Sequence, residues 1–332
     1  MSQTSYLSRI NILIKAIISF FLIGIILYQV DSASLITKLK TINFAWFFLA
    51  NILYFGSVFL RAYRWKELLL GLGIRVNFYQ LSKLYFIGFF FNQFIPTGVG
   101  GDLVRTYILS KDGVEATQAT SSVIMDRATG IYSLLVIGAI TSFLSPGVVS
   151  KEIRLFLIII TILITVVFII LFLFNIKKII PQTSVKFLKI FVEFYETFPK
   201  YSKKLILKAL CISIFFNFLL IIINLFLAIS FNVSISLIHL FIFIPLISLT
   251  LILPISINGL GTRELAYVVL FGQIGVAKES ALSISVAFYG LNLIMALIGG
   301  ILFILRSPSF SHTDGNPTLC YKDTDLKEEV LK

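Results

Sequence analysis

The chain is 332 residues long, 58% hydrophobic and 13% charged, with a mean hydropathy of +0.98. Soluble domains carry about 45–50% apolar and about 25% charged residues, so this composition excludes an ordinary water-soluble protein and points to a membrane. Lys and Arg number 28 against 16 Asp and Glu, a net charge of +12; because Lys and Arg near helix ends are retained on the cytoplasmic side, the position of that excess reports orientation.

An apolar run of about 20 residues spans the ~30 Å hydrocarbon layer as a helix. In chain order this criterion predicts spans at 11–30, 44–60, 121–143, 155–174, 205–230 and 281–305. In the first, an apolar stretch follows Arg9 and Lys15 and precedes Ser32-Ala33-Ser34, which is also the layout of a secretory signal. The hydrophobic segments behind it make a retained helix the simpler reading. Two further apolar stretches, 78–95 and 238–257, are long enough to cross but end in Pro and Gly rather than in charge.

Charge chooses between topologies. Lys177, Lys178, Lys186, Lys189, Lys200, Lys203, Lys204 and Lys208 stand against Glu193 and Glu196, a net of +6 and half the chain's total. The segment with Arg61, Arg64, Lys66, Glu67 and Arg75 is net +3. Both should be cytoplasmic, and they fall on one side only if 78–95 dips in and returns. The stretch 238–257 follows an uncharged loop and is expected to dip in from the opposite face. The expected fold class is therefore an all-α polytopic membrane protein: six transmembrane helices plus two re-entrant broken helices in an inverted repeat, with N and C termini cytoplasmic. Eight full crossings is the alternative, and it would strand one basic loop outside. Residues 185–204 read as an amphipathic helix on the inner leaflet or as a solvated basic linker. Residues 1–306 form the transmembrane domain, and 307–332, with Pro308, Gly315 and Pro317, read as a disordered cytoplasmic tail.

The two suspect stretches share a pattern. Phe94-Ile95-Pro96 is followed by Gly98, Gly101 and Arg105; Ile252-Leu253-Pro254 is followed by Ser256, Gly259 and Arg263, at an offset of 158 residues. Paired Gly/Pro-interrupted hydrophobic segments in corresponding halves mark inverted-repeat transporters, with the binding site where the broken helices meet. Pro ends a helix and Gly redirects the chain. A new helix is expected after each break, capped by Asp102 and by Thr262, with its free N–H groups and positive dipole end aimed at an anion. The candidate headgroup-binding residues are Arg105 and Arg263, with Gly100, Gly101, Asp102, Gly259, Gly261, Thr262 and Glu264 around them.

Asp126 and Arg127 form a second charged island, either paired with the first break or placed at the water boundary, the boundary being favoured by position. Arg61 and Arg64, followed by Trp65, read as interfacial anchors. Asn217 and Asn224, seven apart, share a helix face and read as interhelical glue. Cys211 and Cys320 suggest no disulfide framework, and the isolated His239 and His312 no metal site. No Gly-x-x-x-x-Gly-Lys-Ser/Thr loop is present, so neither ATP nor another cofactor is expected.

Arg61-Ala62-Tyr63-Arg64-Trp65, Asn92-Gln93-Phe94-Ile95-Pro96 running into Gly100-Gly101-Asp102 and Arg105, Asp126-Arg127, and Gly259-Leu260-Gly261-Thr262-Arg263-Glu264 together resemble the lysylphosphatidylglycerol synthase transmembrane region family over residues 5–306. The resemblance implies a flippase-like integral protein of the inner membrane that handles lipids. In the multiple peptide resistance factors the membrane domain is joined to a soluble lysyltransferase. About 26 residues follow the last predicted span here, too few for that domain, so lysyl transfer is not expected. Similar proteins often carry a basic residue in the last helix where this chain has Tyr289-Gly290.

The expected function is translocation of an anionic lipid, either a phospholipid or a polyprenyl-phosphate-linked precursor, with a membrane lipid as partner and no nucleic acid. A homo-oligomer or a separate lipid-modifying enzyme is a further partner class. The alternatives are a membrane-embedded glycosyl or headgroup transferase, whose sole Asp-x-Asp is Asp323-Thr324-Asp325 in the tail, and a non-transporting scaffold, which would leave the repeated break unexplained.

Overall fold

The computed structural model describes residues 37–38, 40–95, 99–173, 197–198, 201–252, 256 and 259–305. The predicted span at 11–30, the basic stretch 185–196, the tail and both prolines of the repeated break lie outside the described residues. The regular elements among the described residues are all helices, with no strand. In chain order the helices are α1 Phe44–Gly71, α2 Phe78–Phe94, α3 Gly100–Lys111, α4 Ala116–Leu144, α5 Lys151–Leu173, α6 Lys203–Ser230, α7 Leu237–Ile252, α8 Thr262–Gly272 and α9 Lys278–Ile304.

Five of these, α1, α4, α5, α6 and α9, are long and apolar enough to cross a membrane. They bare large side chains such as Phe48, Phe143, Ile159, Phe215 and Leu297 outward, as a lipid-facing surface requires. The protein is an all-α polytopic membrane protein. At 1.5 Å per residue α2 reaches roughly 25 Å and α7 roughly 24 Å, both short of the ~30 Å hydrocarbon layer.

The elements repeat as a block. Shifted by 158 residues, α1–α4 fall on α6–α9, with lengths of 28, 17, 12 and 29 residues against 28, 16, 11 and 27. Packing obeys the same relation: α2 against α9 mirrors α7 against α4, α2 against α3 mirrors α7 against α8, and α3 against α4 mirrors α8 against α9. Helix α5 stands outside the repeat and packs on α4.

The equivalent helices α1 and α6 run antiparallel. Asn43 N–H donates to the Ser230 carbonyl at 2.8 Å, Trp46 meets Phe226, Arg64 meets Ser213, and Glu67 meets Lys208. Antiparallel equivalents mean that an axis across the helices, not along them, relates the halves.

Glycines bring the halves together. A Cβ on Gly299 of α9 would run into the Phe86 carbonyl of α2, and one on Gly138 of α4 would crowd Pro245 of α7 at 2.9 Å. Each half's last helix thus seats the short apolar helix of the other half.

Candidate functional site

Helices α2 and α3 lie side by side and antiparallel. Near their tip the Gly101 N–H donates to Asn92 Oδ1 at 2.7 Å, and a Cβ on Gly101 would collide with the Gly88 carbonyl. Gly100 sits as tightly against Ile95. Small residues at both positions therefore let the start of α3 press against α2. That contact turns Arg105, one turn further on, inward, where it is 4% exposed.

Arg105 and its surroundings form one network drawn from α1, α2, α3, α4 and α6. Arg105 Nη2 donates to Asp102 Oδ1 at 2.6 Å, and Arg127 Nη1 donates to Asp102 Oδ2 at 2.6 Å. Arg64 Nε donates to Asp126 Oδ1 at 2.7 Å and its Nη1 to Ser213 Oγ at 2.8 Å. The Tyr85 hydroxyl donates to the other Asp126 oxygen. The Arg105 guanidinium lies 4.0 Å from the Tyr85 ring centroid and 4.9 Å from that of Trp65. Its Nη1 is buried with no hydrogen-bond partner; Asp126 Oδ2 stands 3.6 Å away, an ion pair beyond hydrogen-bonding range.

The second half builds a smaller version. Gly259 and Gly261 have φ of +75° and +82°, dihedrals that favour glycine, and they turn the chain into α8. The Gly261 N–H donates to Glu264 Oε2 at 2.7 Å, and Thr262 Oγ1 lies 2.9 Å from Ser256 Oγ. Arg263, buried, donates from Nη2 to Glu264 Oε1 at 2.7 Å and lies 4.8 Å from the Tyr289 ring centroid.

The two networks meet through polar side chains rather than directly. The Tyr289 hydroxyl donates to Gln93 Oε1 at 3.0 Å, which links the ring beneath Arg263 to the residue beside Asn92. Nearby on α1, the Arg61 guanidinium lies 4.3 Å from the Phe216 ring centroid and 5.5 Å from that of Phe89, with its Nε buried and unpartnered. Arg61, Arg64, Arg105, Arg127 and Arg263 thus stand against Asp102, Asp126 and Glu264, an excess of two positive charges.

Several expectations change. Arg64 is no interfacial anchor: α1 continues to Gly71, and its guanidinium is buried against Asp126. The apolar run ended at Leu60, but the helix does not, because partners on α4 and α6 satisfy its charges. Asp126 lies in the interior, not at a water boundary, while Arg127 keeps a 30% exposed side chain. Neither expected cap forms. Asp102 is in the first turn of α3 but spends both oxygens on arginines, and at α8 the cap contact comes from Glu264 while Thr262 is already helical. Asn217 does join α6 to α4, donating to Gly130 O at 2.9 Å and Ser133 Oγ at 2.7 Å, and Asn224 receives the Tyr267 hydroxyl. Tyr85, Asn92, Gln93 and Tyr289 were not singled out as site residues, although Asn92-Gln93 sits within the motif carrying the family resemblance. Among the described residues no group of three His, Cys, Asp or Glu side chains could hold a metal ion.

The profile of the lysylphosphatidylglycerol synthase transmembrane region matches residues 12–300, most of the chain and both breaks. The chain belongs to this family. A relative, a UPF0104 membrane protein of Pyrococcus horikoshii, is 23% identical over 324 residues, covering 87% of this chain and 95% of its own. Membership in the lysylphosphatidylglycerol synthase transmembrane region family thus extends across both halves of the repeat.

Proposed function

We propose that the protein moves an anionic lipid between the leaflets of the inner membrane, receiving the phosphate-bearing headgroup at the α2–α3 and α7–α8 tips while the acyl chains stay in the bilayer. The observation that carries this is Arg105. A charged side chain at membrane depth costs about 2.5–3.5 kcal/mol on insertion scales and is normally paired in full. Here a buried guanidinium keeps an unbonded Nη1 within a network holding more arginines than carboxylates. Guanidinium forks match phosphoryl oxygens, so an anion completes what the protein leaves open.

The architecture supports the same reading. Helices α2 and α7 measure less than the hydrocarbon thickness, each is followed by a helix that returns alongside it, and the two halves are antiparallel. As re-entrant elements they enter from opposite faces, with the site near the midplane and rocking of the halves giving alternate access. Lys66, Arg75, Lys111, Lys203 and Lys204 gather at one end of the bundle, which becomes the cytoplasmic end and makes both termini cytoplasmic. Asp102 and Arg127 form the reachable edge of the network. Beside them Leu103 and Tyr107 are 59% and 63% exposed on the outer face of α3, a surface along which acyl chains can lie. The protein acts as a transporter with no catalytic step of its own, alone or beside a separate lipid-modifying enzyme.

Reconstitution into liposomes with labelled phosphatidylglycerol or a polyprenyl phosphate tests this. The parent is expected to exchange one of them between leaflets well above empty liposomes, and Arg105→Gln and Arg263→Gln to slow exchange at least about tenfold. Exchange by the parent no faster than in empty liposomes, for any anionic lipid, overturns the proposal.

A further inference from the structure

We propose that the Asp102 carboxylate occupies the seat of the substrate's phosphoryl oxygens, as an internal competitor that leaves its arginines and takes up a proton when the anion binds. This rests on the anion-site reading above and adds how the site is kept and emptied.

The three carboxylates of the site are held in different ways. Asp126 is 2% exposed and fixed by Arg64 and the Tyr85 hydroxyl. Glu264 divides its oxygens between Arg263 and the Gly261 N–H that begins α8, so moving it would undo the start of a helix. Asp102 alone bonds to nothing but arginine: Oδ1 to Arg105 and Oδ2 to Arg127, each at 2.6 Å, with 24% of its side chain open. It bridges guanidinium groups from two helices through two oxygens, which is what the two non-bridging oxygens of a phosphodiester would do. A tetrahedral phosphoryl group has the further reach to engage the unbonded Arg105 Nη1.

Displacement has a protonic consequence. The charged groups facing Asp102 are Arg105 from its own helix and Arg127 from α4; α2, which also packs on α3, brings Tyr85 and Asn92 to the neighbourhood, while its Lys83 lies over the Tyr79 ring. Once a phosphodiester monoanion takes the two arginines, Asp102 is left beside a like charge without its cations, and the neutral acid is favoured. One carboxylate gains one proton from water at its open edge for each anion bound. Affinity therefore rises as pH falls towards the carboxylate range, whereas the phosphodiester itself does not titrate there.

The test uses the purified full-length chain in neutral detergent, with dihexanoyl phosphatidylglycerol and, separately, inorganic phosphate as probes. The parent is expected to bind the lipid with about one proton taken up per lipid, read by a pH-indicator dye in weak buffer. Where a full proton is taken up, linkage makes its affinity rise about tenfold for each unit by which pH falls. Asp102→Asn is expected to bind about tenfold more tightly, with no pH slope and no proton uptake. If Asp102→Asn fails to fold, the parent's proton count and pH slope decide. Lipid binding by the parent without proton uptake or pH slope overturns the competitor role and leaves the anion site standing. A parent that binds phosphate but not the lipid, with a proton uptake that Asp102→Asn abolishes, upholds the competitor and overturns the lipid as source. A parent that binds neither probe overturns both readings.

Discussion

Gln80, in the first turn of α2, donates from Nε2 to Oδ2 of Asp112, the residue that closes α3, at 2.7 Å. The chain therefore comes back to the end of the bundle it left 32 residues earlier, and α4 starts from that end. Cysteines introduced at Tyr79 and Glu115, with Cys211 and Cys320 replaced by serine, are expected to react with an impermeant maleimide from the same side of the membrane. A cysteine at Ser234, between α6 and α7, should react only from the other side. Labelling of positions 79 and 115 from opposite sides would show that α2 crosses.

The Arg64–Asp126 pair is buried on both sides, at 5% and 2% exposure. Removing one partner of such a pair strands a charge and costs about 3–5 kcal/mol. Arg64→Leu should lower the melting temperature in detergent accordingly. Arg64→Leu combined with Asp126→Leu should lose less than the sum of the single changes, since most of each cost is the orphaned partner.

Glu67 and Lys208 make the contrasting case. Their oxygen and nitrogen lie 2.9 Å apart, but the lysine side chain is 49% exposed. Pairs of this kind contribute about 0–1 kcal/mol and weaken with salt. Lys208→Gln should shift the melting temperature barely, and the shift should vanish at high ionic strength.

Glycine positions separate packing from propensity. Gly101 and Gly299 each abut a backbone carbonyl that a Cβ would strike, and backbone cannot swing aside as a side chain can. Gly101→Ala and Gly299→Ala are expected to destabilise by about 1–3 kcal/mol. Gly290 has nothing within 4 Å of its would-be Cβ, so Gly290→Ala on the same helix should be neutral or slightly stabilising. Thermal unfolding of the three variants checks this.

Hydropathy and the Pro/Gly pattern made the long helices and both breaks legible from the residues. The 158-residue offset, visible in a dozen positions, extends to whole four-helix blocks. The flanking helices hid this because α1 and α6 share length and packing but no motif. Charge was read less well. The charged residues after Leu60 suggest that α1 ends there, yet Arg64 is inside, and only the pairing of distant helices reveals that Asp126 neutralises it. The place of Asp102 at a helix start suggests a cap. Whether a side chain turns to its own N–H groups or to a neighbouring arginine depends on α4, 25 residues away at Arg127.

Gly299 seats the Phe86 region of α2, yet it is synthesised 213 residues later. At 5–20 residues per second the ribosome takes on the order of 10–40 s to cover that distance. Throughout that interval the first short helix sits in the bilayer without the surface that finally covers it, whereas α7 emerges after α4, on which it seats. The two halves are thus unequal in history though equal in form: the second folds onto a finished groove, the first must be held open for its closing helix. Expressed alone, residues 1–144 would lack that helix altogether, so a half-length chain should be a client of membrane quality control, not a stable folded unit.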